Sequence, residues 1–198
     1  MSTRAASTIE RDTKETQISL TFSIDGTGQS SIRTGVAFFD HMLDLFTVHG
    51  FFDLSLTVKG DLEVDAHHTV EDTGICLGQA FKQCLGDAKG IHRYASVILP
   101  MDEALCQMAL DISNRPVCVF NYDFPKAKLG DFDLELVQEF FQAFCTHAGI
   151  SLHVSILAGS NLHHISEACF KALGVCLDQE TLVDPRKKDR VPSTKGLL

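Results

Sequence analysis

No run of this sequence approaches the roughly 18 consecutive apolar residues of a membrane-spanning helix, so no membrane partner is expected. The polar start Met1–Asp12 lacks the apolar h-region of a secretory signal. Positive charge is scarce: 17 Lys and Arg stand against 26 Asp and Glu, for a net charge of −9 and a pI near 5.4. That balance excludes a nucleic-acid partner held by a broad basic surface and requires any anionic ligand to be caught by a local cluster. Cys-x-x-Cys pairs are missing. The seven cysteines (76, 84, 106, 118, 145, 169 and 176) are scattered, odd in number and mostly flanked by apolar residues, unlike a zinc knuckle or a disulfide framework. They read as reduced, buried thiols of a cytoplasmic protein, or of an organellar one after loss of a transit peptide. At 198 residues and 44 % hydrophobic content, the chain suffices for one sizeable core or two fused small ones.

What the chain does carry is one motif written twice. His67-His68-Thr69-Val70-Glu71 and His163-His164-Ile165-Ser166-Glu167 are both His-His-x-x-Glu, 96 positions apart, and each runs into a helix-like stretch. On a helix, residues i and i+4 share a face while i+1 sits about 100° round. His67 and Glu71 can therefore grip one metal while His68 is aimed at another, and His163, Glu167 and His164 repeat the arrangement. Packing explains this poorly, because adjacent neutral imidazoles need polar partners that core helices rarely supply.

The repetition extends beyond the motif. Helix-like runs over Phe38–Val48 and Leu134–Thr146 end at a His with a Gly behind it, His49-Gly50 and His147-Ala148-Gly149, which is a stop signal. Alternating strands follow at Asp53–Val58 and Ser151–Ile156, then a polar loop, the His-His-x-x-Glu motif, and periodic helices over Thr69–Leu85 and Ser166–Asp178. Five matched elements in one order imply duplication. Further strands are expected at Thr16–Ile24 and Ser31–Thr34, and at Ala95–Leu99, Ala104–Ile112 and Val117–Tyr122. The expected fold is α/β of the α+β type, a duplicated two-layer sandwich. Each half reads antiparallel strands, helix, strand, helix, with the helices packed between two sheets. The expected organisation is a mobile tail over 1–10, repeats over 11–90 and 91–183, and a C-terminal tail over 184–198 that stays mobile until something binds it. An offset of 98 carries His49 onto His147 and His41 onto Glu139, so the first helix of each half offers a third ligand. His41 is read as a ligand; Glu139 fits a ligand and a solvated helix carboxylate equally well.

At these residues the sequence resembles imidazoleglycerol-phosphate dehydratase. The resemblance rests on Arg11-Asp-Thr-Lys-Glu-Thr16, Gly35-Val-Ala-Phe-Phe-Asp-His-Met42, Gly60-Asp-Leu-Glu-Val-Asp-Ala-His-His-Thr-Val-Glu-Asp72, Asn161-Leu-His-His-Ile-Ser-Glu-Ala-Cys-Phe-Lys-Ala172 and Val191-Pro-Ser-Thr-Lys-Gly196, in order along the chain. It implies a ribosomal protein S5 domain 2-like fold in each half. It also implies conversion of imidazoleglycerol phosphate to imidazoleacetol phosphate and water in histidine biosynthesis, with two Mn²⁺ per active site. The metal ligands it implies are His41, His67, His68, Glu71, His163, His164 and Glu167, with Glu139 where some members have His; an oxygen ligand there still suits manganese.

The chemistry is coherent. Loss of water from an unactivated alcohol needs a base for a C–H proton, help for the departing hydroxide, and a sink for the resulting charge. One metal can act as Lewis acid on the hydroxyl while another favours the imidazolate, giving a diazafulvene-like intermediate and then the enol and ketone. By resemblance Glu15 abstracts the proton, although by itself it is a glutamate in a charged N-terminal run, and His68 and Glu167 act with it. Arg93, Arg115, Lys171, Ser193 and Lys195 match phosphate and substrate contacts, although each alone reads as a solvated side chain on the surface. His41 and His49 match substrate contacts too; His49 reads equally as a helix cap. Asp65, Asp72, Asp102 and Glu103 read as groups that orient histidines or arginines, and His92, His147 and His153 match no role.

Three departures from the family's pattern stand out: Phe38-Phe39-Asp40-His41, Ala66 before His67, and Ser160 where a Lys is common. They affect fine substrate contacts and leave the reaction class alone. Because each motif diverges its two histidines, sharing ligands between subunits is the simplest closure, and the resemblance implies trimers assembled into a 24-subunit shell. Two rivals compete with this reading: a dinuclear metallohydrolase, and a non-catalytic shell protein stapled by metal.

Overall fold

The computed structural model describes residues 4–187 and 190–198. Ten strands and four helices follow in the order β1 Ser7–Asp12, β2 Thr16–Ser23, β3 Ser30–Arg33, α1 Ala37–His49, β4 Asp53–Gly60, α2 His67–Leu85, β5 Tyr94–Met101, β6 Ala104–Ile112, β7 Val117–Asn121, β8 Lys128–Leu129, β9 Phe132–Asp133, α3 Leu136–Ala148, β10 Ile150–Ala158 and α4 Leu162–Thr181. The first four-stranded sheet runs β1-β2-β4-β3 and the second β5-β6-β10-β7. Both are antiparallel except for one pair, β3 with β4 and β7 with β10, where a helix makes the crossover that a parallel pair needs. The same order in both halves is the duplication.

Each sheet buries one face. In β2 the residues Ile18, Leu20 and Phe22 point inward while Gln17, Ser19 and Thr21 face out, and β6 repeats this with Cys106, Met108 and Leu110. The helices fill the space between the sheets: α2 lies on the first, α4 on the second, α1 packs against α4 and α3 against α2. A chain of phenylalanines ties them together. Phe81 of α2 meets Phe144 of α3, which meets Phe46 of α1, and Phe170 of α4 stacks on Phe140 of α3 at 5.1 Å. The seven cysteines are free, and all but Cys118 are buried. Burial pushes the Cys76 thiol up to about 11 and the Cys176 thiol up to about 12, so both are inert at neutral pH.

The helix crossings are set by glycines at equivalent positions. A Cβ on Gly78 of α2 would lie 2.6 Å from the Phe144 carbonyl oxygen of α3, and one on Gly174 of α4 would lie 2.5 Å from the Phe46 carbonyl oxygen of α1. The two contacts are related by the offsets of 96 and 98 that relate the motifs. Each half therefore gives its first helix to the second helix of the other half. Because the obstructing atoms are backbone, Gly174→Ala must push α1 and α4 apart. We expect it to cost ~1–3 kcal/mol and to lower the melting temperature by roughly 2–10 °C, read by thermal denaturation; an unchanged melting temperature would contradict the close crossing.

The sequence reading needs three corrections here. Ser7–Glu10, assigned to a mobile tail, belongs to β1 and pairs with β2. Its single apolar residue, Ile9, gives no alternation to detect, and the pairing is made by backbone. The helices carrying the motifs start at His67 and Leu162, ahead of the expected Thr69 and Ser166, so each motif lies wholly in the first turns. Asp65 Oδ1 accepts from the His67 amide at 2.7 Å and Asn161 Oδ1 from the His163 amide at 3.0 Å, satisfying an amide at both starts from repeat-equivalent positions. The described residues from 184 onward are docked: Gly90 N donates to the Arg190 carbonyl, Arg93 Nη1 to the Pro192 carbonyl, and Leu198 packs on the core. Lys188 and Asp189 lie outside the described residues. No helix among the described residues is long and apolar enough to cross a membrane.

Candidate active site and metal centre

The α1–α4 crossing brings His41 to the second motif. His41 Nε2 and His163 Nε2 each lie 3.0 Å from Glu167 Oε1, and ligand atoms of the three residues all fall within 4.8 Å of one another. The imidazoles are partly open, with side chains 44 and 41 % exposed, while Glu167 is only 9 % exposed. Burial pushes the Glu167 carboxyl up, but bonds from Lys171 Nζ at 2.7 Å and from both histidines outweigh it and hold it at about 2. The result is an ionised carboxylate between two imidazoles with room for further ligands. The donor set of two ring nitrogens and one carboxylate oxygen suits a divalent first-row transition metal.

The other histidines are oriented by carboxylates. His68 Nδ1 lies 3.0 Å from Asp61 Oδ2, and His164 Nδ1 lies 2.7 Å from Glu103 Oε2. An Nδ1–H given to a carboxylate leaves Nε2 as the outward lone pair, which is the tautomer of a metal-ligating histidine. Both rings are pushed toward higher pKa, first by these hydrogen bonds and then by neighbouring acids. The His164 bond holds Glu103 down at about 2. The rings of each motif diverge, crossing at 90° in the first and 80° in the second.

The first motif is looser. His67 Nε2 stands 3.9 Å from Glu71 Oε2. The repeat offsets carry His41, His163 and Glu167 onto Glu139, His67 and Glu71, and α3 lies on α2 as α1 lies on α4. Glu139 is exposed in the first turn of α3, and among the described residues its carboxylate meets neither His67 nor Glu71 within hydrogen-bonding distance.

Glu15 sits in the turn between β1 and β2, its carboxylate 3.8 Å from His68 Nε2 and 54 % exposed. Its backbone is pinned: its amide donates to Thr13 Oγ1, and its carbonyl accepts from the Asp61 amide. Thr16 Oγ1 and the Arg11 guanidinium both bind buried Asp72, which fastens this turn to α2.

A cleft of about 710 Å³ collects Arg93, Arg115, Arg190, Ser193 and Lys195. It shares no lining residue with the cleft of about 900 Å³ beside His41 and His163. Lys171 lines neither cleft; four residues beyond Glu167 on one helix face, it donates to that carboxylate at 2.7 Å and to Met101 Sδ at 3.1 Å. His49 ends α1, where burial first and the Lys171 charge second push its pKa down. Ser160 donates its amide to Glu103. Asp65, expected to orient a side chain, accepts from the His67 backbone amide one residue ahead of the α2 N-cap, Ala66. Three features went unforeseen: Asp61 on His68, Asp111 on Arg93, and the β8–β9 hairpin whose Phe132 packs on Phe38 and Phe39. Asp61 stands seven residues before His68 in the matched Gly60–Asp72 stretch, the only signal that could have found it.

The profile of the imidazoleglycerol-phosphate dehydratase family matches residues 34–177. The imidazoleglycerol-phosphate dehydratase of Pelobacter propionicus is 61 % identical over 196 residues, covering 99 % of this chain and 100 % of the relative. That of Xanthobacter autotrophicus is 57 % identical over 190 residues, 96 % of each chain. Crystal structures of the enzymes from Staphylococcus aureus and Pyrococcus furiosus superpose with TM-scores of 0.82 at 38 and 35 % identity, covering 91 and 96 % of this chain and 100 % of each of theirs. Neither rival reading of the sequence finds support among these relatives. By sequence over its whole length and by fold, this chain belongs to the imidazoleglycerol-phosphate dehydratase family.

Proposed function

We propose that this chain dehydrates imidazoleglycerol phosphate to imidazoleacetol phosphate in histidine biosynthesis, in the cytoplasm, using two Mn²⁺ per active site. The observation that carries the metal dependence is the convergence of His41, His163 and Glu167 at the α1–α4 crossing. That cluster would hold one ion, and His67 with Glu71, joined by Glu139, another, while the Nε2 atoms of His68 and His164 face outward to complete sites. Bound there, manganese supplies Lewis acidity toward the hydroxyl that leaves and stabilises the imidazolate form of the substrate ring.

The chain's own groups do the rest. Ring electrons expel the hydroxyl, which leaves as water with the ring N–H proton. Glu15, an exposed carboxylate on a pinned turn, takes the proton from the adjacent carbon, and its return gives the enol and then the ketone. Asp61 and Glu103 hold the His68 and His164 rings so that their outward nitrogens do not rotate away. Arg93, Arg115, Ser193 and Lys195 catch the phosphate, and His49, kept neutral by burial and by Lys171, stands beside the cluster as an uncharged contact.

The same placement supports a reading in which active sites are completed between subunits. The anion cleft and the metal cluster have no lining residue in common, and the two motif histidines diverge in each arm. Neighbouring chains in trimers, assembled toward a 24-subunit shell, bring the pieces together. The test is turnover by protein stripped of metal and then reloaded with Mn²⁺, with light scattering in parallel. Product formation and a rise in mass on reloading are expected; assembly without product would leave only a metal-stapled shell.

A further inference from the structure

The two arginines of the anion cleft are not independent. Arg93 is held on every side: its backbone takes a positive φ of 78°, its amide donates to the Glu180 carbonyl, and its carbonyl accepts from the Ile112 amide. Its Nε lies 2.8 Å from Asp111 Oδ1, its Nη2 3.3 Å from Asp111 Oδ2, and its Nη1 2.8 Å from the Pro192 carbonyl. The guanidinium carbon stands 4.6 Å from the Tyr94 ring centre. Of the five guanidinium protons, these bonds leave one on Nη1 and one on Nη2. Arg115 is the opposite case, with its side chain 65 % exposed, yet its Nη2 lies 3.8 Å from the same Asp111 Oδ2 and its Nη1 3.2 Å from the Ser113 carbonyl. Asp111 lies on the outer face of β6, between Tyr94 of β5 and Ser151 of β10, and does not line the cleft.

We propose that Asp111 is the positioning residue of the anion cleft, a single carboxylate that fixes the Arg93 fork and draws Arg115 beside it so that both present unengaged N–H groups to one phosphate. The proposal rests on the cleft being the phosphate site. It explains why an acidic residue stands behind a cleft built of cations. On net charge alone Asp111 weakens the cleft, because it cancels one of the two guanidinium charges. It strengthens the cleft only through geometry, since a rigid planar fork loses little freedom on binding whereas a free Arg115 side chain loses much. The two accounts differ in the sign of the effect.

The experiment is calorimetry of inorganic phosphate binding to the metal-loaded protein, with KM and kcat measured alongside. Asp111→Asn removes the charge and keeps the shape. Positioning predicts phosphate affinity weakened about tenfold, KM raised by a similar factor and kcat within about twofold of the parent. Tighter or unchanged phosphate binding in Asp111→Asn would overturn the proposal. Asp111→Glu keeps the charge, moves the carboxylate by one methylene and covers the case in which the Asn variant does not fold. Positioning predicts an intermediate loss, whereas a pure charge effect predicts none. Arg115→Ala separates this proposal from the reading beneath it. If Arg115→Ala leaves phosphate binding intact, the cleft is not the phosphate site; if Arg115→Ala weakens binding and Asp111→Asn does not, only the role of Asp111 fails.

Discussion

Glu167→Ala is expected to lower manganese affinity more than about 100-fold and to abolish detectable turnover at metal concentrations that saturate the parent. Three groups converge on this carboxylate: His41 and His163 on Oε1 and Lys171 on Oε2. It is the only carboxylate in the cluster, and its ionised form is held at about 2, so across the neutral range it is ready to bind metal without first losing a proton. Removing it leaves the two imidazoles without their carboxylate and the Lys171 ammonium, 14 % exposed, without its ion-pair partner beside a site meant for a cation. Repulsion adds to the lost ligand. Glu167→Gln keeps the size and loses the charge, and the same failure is expected of it. Metal binding by calorimetry, with circular dichroism as a check on folding, decides the matter. A folded Glu167→Ala variant that keeps manganese within tenfold of the parent would remove the cluster from the metal site.

Glu15→Gln is expected to lower kcat by about 10²–10⁴ while KM, manganese content and assembled mass stay near those of the parent. The side chain is 54 % exposed and, among the described residues, accepts no hydrogen bond, its nearest partner being His68 Nε2 at 3.8 Å, so its loss disturbs no packing. Its backbone contacts, to Thr13 Oγ1 and from the Asp61 amide, survive the substitution. What disappears is a proton acceptor beside His68. Steady-state kinetics with light scattering on one preparation check this. Retention of kcat would move proton abstraction to another group, and loss of assembly would make Glu15 a structural contact.

Much of the fold was legible because periodicity reports burial. β6 was expected over Ala104–Ile112 and found there, since Cys106, Met108 and Leu110 alternate with half-exposed and exposed residues. α1 and α3 came within a few residues because glycine closes each one: Gly50 donates its amide to the Phe46 carbonyl, and Gly149 takes a φ of 74°. β1 and the β8–β9 hairpin were invisible, being an edge strand with one apolar residue and two-residue strands.

The motifs announced their chemistry but not their partners. Nothing local tells His41 that it will meet the second motif; that pairing follows from Gly174 lying on the Phe46 carbonyl, a contact across 128 positions. The sequence offers one further ligand from the first helix of each half without naming its partner, and the crossing brings His41 to the motif of the other half. Lys171 was read as a substrate contact by its family position, and its bond to Glu167, one turn earlier on the helix, carried no separate signal. Asp111 carried no signal, because its partners Arg93 and Arg115 reach it through strand pairing and a turn.

Anomalous diffraction at the manganese edge, from crystals of protein stripped and reloaded with Mn²⁺, tests the central claim most directly. The account predicts a peak bonded to His41, His163 and Glu167 and a second one on the His67–Glu71 arm, with at least one ligand to each supplied by a neighbouring chain. Peaks away from these residues, or sites closed entirely by one chain, would contradict it.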